Sequence, residues 1–484
     1  MSGSLRMPPG APGTLPVIPR QRTPRWAGPD PVDELAERLD GFVAAAVHPD
    51  EIAALLESDG LSDDQIRERY GVRNSFALAE ELYERVTRRY PEPENSAPDP
   101  WRTSLLGCLL RGVVFALPGF GYVLGAPLLA GPPDDRGLPA GTVPLLAAAL
   151  FGWAWNQGLA HRAYTWLGLG DRAAARRSLL LGGPAGALLG ALVALLAAGT
   201  GAPAAVAFAA GQSCYLGAAT ALLVLGRERA LLAALLPMTA GAVLALVRPV
   251  PDAARLTLLL GSAAAVAVLA ARAAAPRGSG TPTAGPAPGT VPLTASLPYA
   301  LFGLGTGVLV VYAALGDVLA GDGLSAVAAP AAVALTLSMG PAEWLLHRFR
   351  SRGFAGLRAC STPRAFRRTT ARALVACLGA YLAALLALDV VTAALWPHAP
   401  AVSGLRLAGL LLLGVVMWTG LLLQSFGAVA GAALICVLAA LAHTLALVTH
   451  TGGPHTVGAA VYGAAALAQS ALVCVLLGRA TAHR

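Results

Sequence analysis

Within ten residues of one apolar segment stand Trp153, Trp155, Asn156, Gln157, His161 and Arg162, the densest polar and aromatic cluster in the apolar part of the chain. Polar groups are costly inside lipid and persist there when they face a cavity or another helix. Trp155 and Arg162 lie seven residues apart and His161 follows Gln157 by four, so on a helix they form one stripe. Indoles stack on sugar faces and a guanidinium pairs with phosphate, so the stripe suits a ligand carrying both groups. The competing account is packing, with Asn and Gln hydrogen-bonding between helices and Arg162 snorkelling to the headgroups.

Arg111, near the start of the first apolar segment, either lines a cationic cavity or snorkels in the same way. Gln212 is a further cavity candidate, although a single polar residue on an apolar helix reads first as packing, as do His443 and Gln469. Acids within apolar segments are few: Asp317, Glu343 and Asp389. Glu343 and His347, four apart on one helix face, and Asp389, the deepest carboxylate, are the candidates for ion coupling. A salt bridge from Asp389 to Arg111 or Arg406 is the alternative. The six cysteines show no metal-ligand spacing and are expected as free thiols. No catalytic residue, metal or cofactor is implied.

A membrane-embedded bundle must position these residues, because 56% hydrophobic residues, 13% charged ones and a mean hydropathy of +0.61 are too apolar for a soluble core. The expected fold is all-α and integral to the membrane, with about twelve spans and a small helical N-terminal domain. Spans of roughly 20 residues are expected at 104–129, 144–167, 178–199, 203–225, 230–247 and 254–273. A second six follow at 297–320, 325–347, 371–396, 407–425, 427–449 and 456–478. A Pro/Gly-rich segment, 275–296, joins the halves 104–274 and 297–478, and 479–484 forms a tail.

Short cytoplasmic loops retain positive charge. Arg172, Arg176 and Arg177 follow span two, Arg227 and Arg229 follow span four, and Arg272 and Arg277 follow span six. The loop after span eight holds Arg348, Arg350, Arg352, Arg358, Arg364, Arg367, Arg368 and Arg372, whereas Gly321 to Gly323 and His450 to His455 hold none. Both termini are therefore expected in the cytoplasm, in a multi-pass protein of the inner membrane. His161-Arg162 ends span two as His347-Arg348 ends span eight, which reads as a six-plus-six parallel repeat.

The arm 1–29 is rich in Pro and Arg and has no apolar period, and no cleavable signal peptide is expected. From Pro31 to Arg89 apolar residues recur at helical spacing, among them Leu35, Phe42, Ile52, Phe76 and Leu82, giving a helical domain over 30–95 and a linker over 96–103. Asp50 and Ser62 are expected as helix caps, with Asp59-Gly60 and Gly71 as stops. Residues 62–85 are similar to a helix-turn-helix in the spacing of Ile66, Tyr70-Gly71-Val72 and Leu78. Residues 30–99 nevertheless carry 18 acids against 7 arginines, a net charge of −11, which argues against nucleic acid and for a cytoplasmic protein partner.

Two like-oriented six-span halves over residues 100–484 resemble the polysaccharide and lipid-linked-sugar flippases of the multidrug/oligosaccharidyl-lipid/polysaccharide exporter superfamily. That resemblance implies export of a lipid-linked or polymeric sugar, with membrane lipid and an anionic lipid-linked sugar as partners. Gly168, Asp171, Arg172, Arg176 and Arg177 resemble the loop Gly-x-x-x-Asp-Arg-x-Gly-Arg-Arg of major facilitator transporters, which imply a small-molecule exporter instead. Polyprenyl-dependent glycosyltransferases place acids in the first outer loop, where Asp134-Asp135 stand, but about a dozen residues leave no room for an acceptor site, so no enzyme is expected. A membrane scaffold is the third reading.

Overall fold

The structure is a computed structural model and describes residues 30–89, 103–129, 141–199, 202–276, 291–319, 329–360, 362–395 and 404–477, without the side chains of Leu128, Asp317, Ala329, Arg358 and Ala359. The arm 1–29, residues 96–102 of the linker, Asp134-Asp135, most of the 275–296 segment, the tail and the Asp317 carboxylate lie outside the described residues. Two compact units divide at Pro98 and Asp99.

The first unit packs five short helices: α1 Pro31–Arg38, α2 Asp40–Ala45, α3 Pro49–Ser58, α4 Asp63–Tyr70 and α5 Ser75–Arg85. Val32, Leu35, Val43, Ile52, Leu56, Ile66, Leu78 and Leu82 form its core, while Phe42 and Phe76 stand on the surface. Ser62 caps α4 in a reciprocal box with Gln65, and Gly71 stops it at φ 72°. Asp50 does not cap α3, because the His48 side chain takes that place and accepts the Asp50 amide.

Arg85 closes this unit by reaching Asp30 at 2.8 Å, Asp33 at 2.6 Å and Glu81 at 2.5 Å. The hydrogen bond from Arg85, helped by the Val32 amide, holds the Asp30 carboxyl below its usual range. A carboxyl depressed in the folded state contributes stability above its unfolded pKa and loses that contribution as pH falls through the folded value. Arg85→Gln is expected to cost about 1 kcal/mol at neutral pH and to flatten the acid loss below about pH 4. Thermal melts of residues 30–98, followed by circular dichroism against pH, test this.

The second unit is an all-α, multi-pass membrane bundle. Its first group comprises α6 Leu105–Ala116, α7 Gly119–Leu129, α8 Thr142–Gly168, α9 Arg172–Ala198, α10 Pro203–Val224, α11 Glu228–Val247 and α12 Asp252–Ala274. After a single 3-10 turn, Leu293–Ser296, the second group comprises α13 Leu297–Leu319, α14 Ala329–Leu337, α15 Met339–Ala359, α16 Pro363–Leu395, α17 Gly404–Ser425, α18 Val429–Val448 and α19 Pro454–Leu477. Among the described residues, ten helical segments are long and apolar enough to cross a membrane, and they coincide with ten of the twelve expected spans.

The other two expected spans are α8 and the α14–α15 pair. α8 runs 27 residues, about 40 Å by helical rise, but its Trp, Asn, Gln, His and Arg side chains lower its hydropathy. The eighth span is broken at Ser338, whose hydroxyl turns back to the Leu335 carbonyl. The first span is also broken, at Leu117-Pro118 between α6 and α7.

Small residues let the helices of each group approach closely, as at Gly217, where a Cβ would lie 2.9 Å from the Gly183 carbonyl. Leu124, Leu222, Leu235 and Val266 fill the first group. Trp418, Tyr381, Leu413 and Leu422 fill the second, and the Trp418 indole donates to the Ala342 carbonyl. Gln469 serves packing: it accepts from Thr419 at 2.8 Å and donates to Cys436.

His443 is 2% exposed between the rings of Tyr312 and Tyr462, and neither ring nitrogen has a hydrogen-bond partner among the described residues. An unsatisfied buried polar group costs about 1–3 kcal/mol. His443→Leu is therefore expected to raise thermal stability by about 1 kcal/mol, measured as a higher melting midpoint in detergent.

Candidate functional site

The two expected spans that are not among the ten apolar segments, α8 and α14–α15, stand where the two groups meet. α8 packs along α13, and α14 and α15 pack along α6, whereas α7 packs principally on α10, α11 and α12 of its own group. The first of these contacts is lined by glycines on both helices. A Cβ on Gly158 would lie 3.5 Å from the Ala300 methyl, Gln157 lies against Gly303, and Leu150 and Trp153 lie against Gly307.

At the α6 contact the backbones touch. A Cβ on Gly112 would come within 2.9 Å of the Gly340 nitrogen and 3.0 Å of the Leu337 carbonyl, and one on Gly340 within 2.7 Å of the Cys108 carbonyl. Beside this contact lies an ion cluster. Arg111 of α6 pairs with Glu343 of α15 through one terminal nitrogen and with Glu228, the first residue of α11, through the other at 2.6 Å. His347 Nε2 stands 3.8 Å from the same Glu343 oxygen.

All four side chains are half-buried, with exposures between 22% and 34%. One guanidinium between two carboxylates leaves a net charge of −1 with His347 neutral and zero with it protonated. Arg111 is therefore held in ion pairs to two helices, and it does not line either of the two cavities of about 640 and 540 Å³ described below. Arg111 Nε is buried and has no partner among the described residues.

The α8 stripe divides in the structure. Trp155 and Arg162 share one face, as their spacing requires, and line a cavity of about 640 Å³ between α8, α9 and the start of α13. Trp166, Arg177, Ser178 and Ser296 complete its polar and aromatic lining, and the exposed Leu181, Leu293 and Leu297 stand at it. The Trp155 indole donates to the Gly182 carbonyl at 2.8 Å, and Arg162 donates to the Val291 carbonyl at 3.0 Å.

The remaining members of the stripe turn to packing. His161 stacks on Tyr299 with ring centroids 3.7 Å apart and its Nδ1 lies 3.1 Å from the Ser296 hydroxyl. Asn156 donates to the Gly152 carbonyl of its own helix, while its Oδ1 is buried without a partner among the described residues. Trp153 is 36% exposed.

Other candidates lie apart from the seam. Gln212 accepts from the Tyr122 hydroxyl at 2.6 Å and lines a separate, apolar cavity of about 540 Å³ among α7, α10, α11 and α12. Asp389 is buried on α16 and makes no ion pair among the described residues, so the alternative bridge to Arg111 or Arg406 is not formed there. Arg406 donates to His455 at 2.9 Å.

Sequence reasoning passed over Glu228, Trp166, Ser178, Ser296 and Tyr299, and read Arg177 as a charge of the loop after span two, with no part in a cavity. For Glu228 a signal was present: it is the only acid between residues 172 and 251, set between Arg227 and Arg229 in a loop where positive charge is the rule. No family model, curated protein or solved structure matches this chain.

Proposed function

We propose that the chain is an inner-membrane transporter of the flippase type that moves a lipid-linked or polymeric sugar outward by alternating access between its two helix groups. The Arg111–Glu228–Glu343 cluster carries this reading. It ties the groups together by contacts that can break and reform, on the side where the arginine loops place the cytoplasm. The pairing of α6 with α14–α15 and of α8 with α13 supports a six-plus-six repeat, since exchanging the halves converts one contact into the other. Twelve spans and cytoplasmic termini belong to the same reading.

Two guanidinium groups and two indoles around the cavity of Arg162 and Arg177 suit the phosphate and sugar of such a cargo. Arg162→Ala is expected to lower transport by about 10-fold or more, the equivalent of one charge-assisted hydrogen bond. The test is lipid profiling of a deletion strain. Polyprenyl-linked sugars accumulate on the cytoplasmic side and are cleared by the wild type but not by Arg162→Ala. An unchanged profile favours the small-molecule exporter or the scaffold.

A further inference from the structure

Residues 344–388 contain eight arginines and no acid. Three of them are engaged: Arg348 lies over the Trp344 ring, Arg350 lies over Phe426 and donates to the Ser425 carbonyl, and Arg352 hydrogen-bonds with the Cys377 thiol. Arg364, Arg368 and Arg372 are exposed, recur every four residues on one face of α16, and make no hydrogen bond or ion pair among the described residues. The opposite face, with Phe366, Thr370, Ala373 and Cys377, is buried.

The rest of the stripe identifies its surroundings. Eleven residues beyond Arg364 comes Val375, 70% exposed, and further along the same face come Leu386 and Val390, also exposed. A face that changes from exposed arginine to exposed aliphatic side chains at residue 373 passes from headgroup depth to acyl-chain depth. With 33 residues, or about 50 Å of helical rise, α16 is long enough to do both, since a hydrocarbon core is about 30 Å thick.

We propose that the Arg364–Arg368–Arg372 face binds the phosphates of anionic phospholipids in the adjoining leaflet. The guanidinium forks pair with phosphate in a bidentate manner, and a four-residue repeat sets them about 6 Å apart along the helix, within reach of neighbouring headgroups. Soluble phosphates would gain nothing from the aliphatic continuation of the stripe, whereas a lipid engages both parts. This assignment is independent of any transport activity.

The experiment uses the full-length protein, purified in detergent and titrated with cardiolipin or phosphatidylcholine, with bound lipid counted by native mass spectrometry. Cardiolipin is expected to bind in preference to phosphatidylcholine. R364Q/R368Q/R372Q is expected to weaken it by on the order of 100-fold, and R364K/R368K/R372K to retain most of it. Should the triple Gln variant fail to insert, R368Q alone is expected to lose roughly fivefold. Gln variants that bind cardiolipin as the wild type does overturn the proposal, as does displacement of cardiolipin by an equal concentration of inorganic pyrophosphate.

Discussion

Arg111→Met is expected to release the contact between α6 and α15, because it leaves Glu228 and Glu343 half-buried, close together and without their shared cation. Removing one partner of a fully buried ion pair costs about 3–5 kcal/mol, and solvent screening of these half-buried groups reduces that to about 1–3 kcal/mol. Glu343→Gln removes one carboxylate and keeps the Arg111–Glu228 pair, so it costs less, and the double variant Arg111→Met/Glu343→Gln recovers part of the loss. Cys108 supplies the readout. It is 4% exposed beside Gly340, so a protein whose other cysteines are replaced by serine reports opening as faster maleimide labelling of this thiol. Unchanged labelling in Arg111→Met would show that the cluster does not hold the seam.

Gly112→Leu attacks the same contact sterically and is expected to be the most damaging single substitution in the seam. A Cβ there already meets the backbone of Gly340 and the carbonyl of Leu337, and backbone atoms move only if the whole helix moves. Overpacking that displaces a helix costs about 3 kcal/mol or more, so the proposed transport is expected to be lost and Cys108 to become reactive. Gly261→Ala is the control: beyond its own helix backbone nothing lies within 4 Å of the added methyl, and the change removes only a helix-weakening glycine. If Gly112→Leu retained both the proposed transport and a protected Cys108, the close approach of α6 and α15 would have no functional weight.

Within-helix spacing was legible in the sequence, and between-helix partnership was not. Seven residues place Trp155 and Arg162 on one face whatever surrounds them, and the cavity lies on that face. The partners of the stripe, Ser296 and Tyr299, are separated from His161 by more than 130 residues, and periodicity carries no information about such pairings. Arg111 shows the same limit. Its depth raises the choice between a cavity and the headgroups, but the third outcome, a double ion pair, depends on acids 117 and 232 residues away.

Hydropathy identified ten spans outright. It did not reveal that the first and eighth are broken, at Leu117-Pro118 and at Ser338. Pro118 carries a local signal for its break. Ser338 does not, since its hydroxyl is satisfied by Leu335 and lies 3.1 Å from the Tyr381 hydroxyl of another helix.

The low hydropathy of α8 and α15 also bears on how the chain is made. A segment carrying Asn, Gln, His and Arg partitions poorly into lipid alone and has to be retained by neighbours already in place. α9 follows α8 at once and packs along it, as α16 follows and packs along α15, so each polar helix can leave the translocon as one half of a hairpin. Biosynthesis then constrains the same residues as activity does. Substitutions that make α8 greasier should speed its insertion while removing the side chains through which it meets α13.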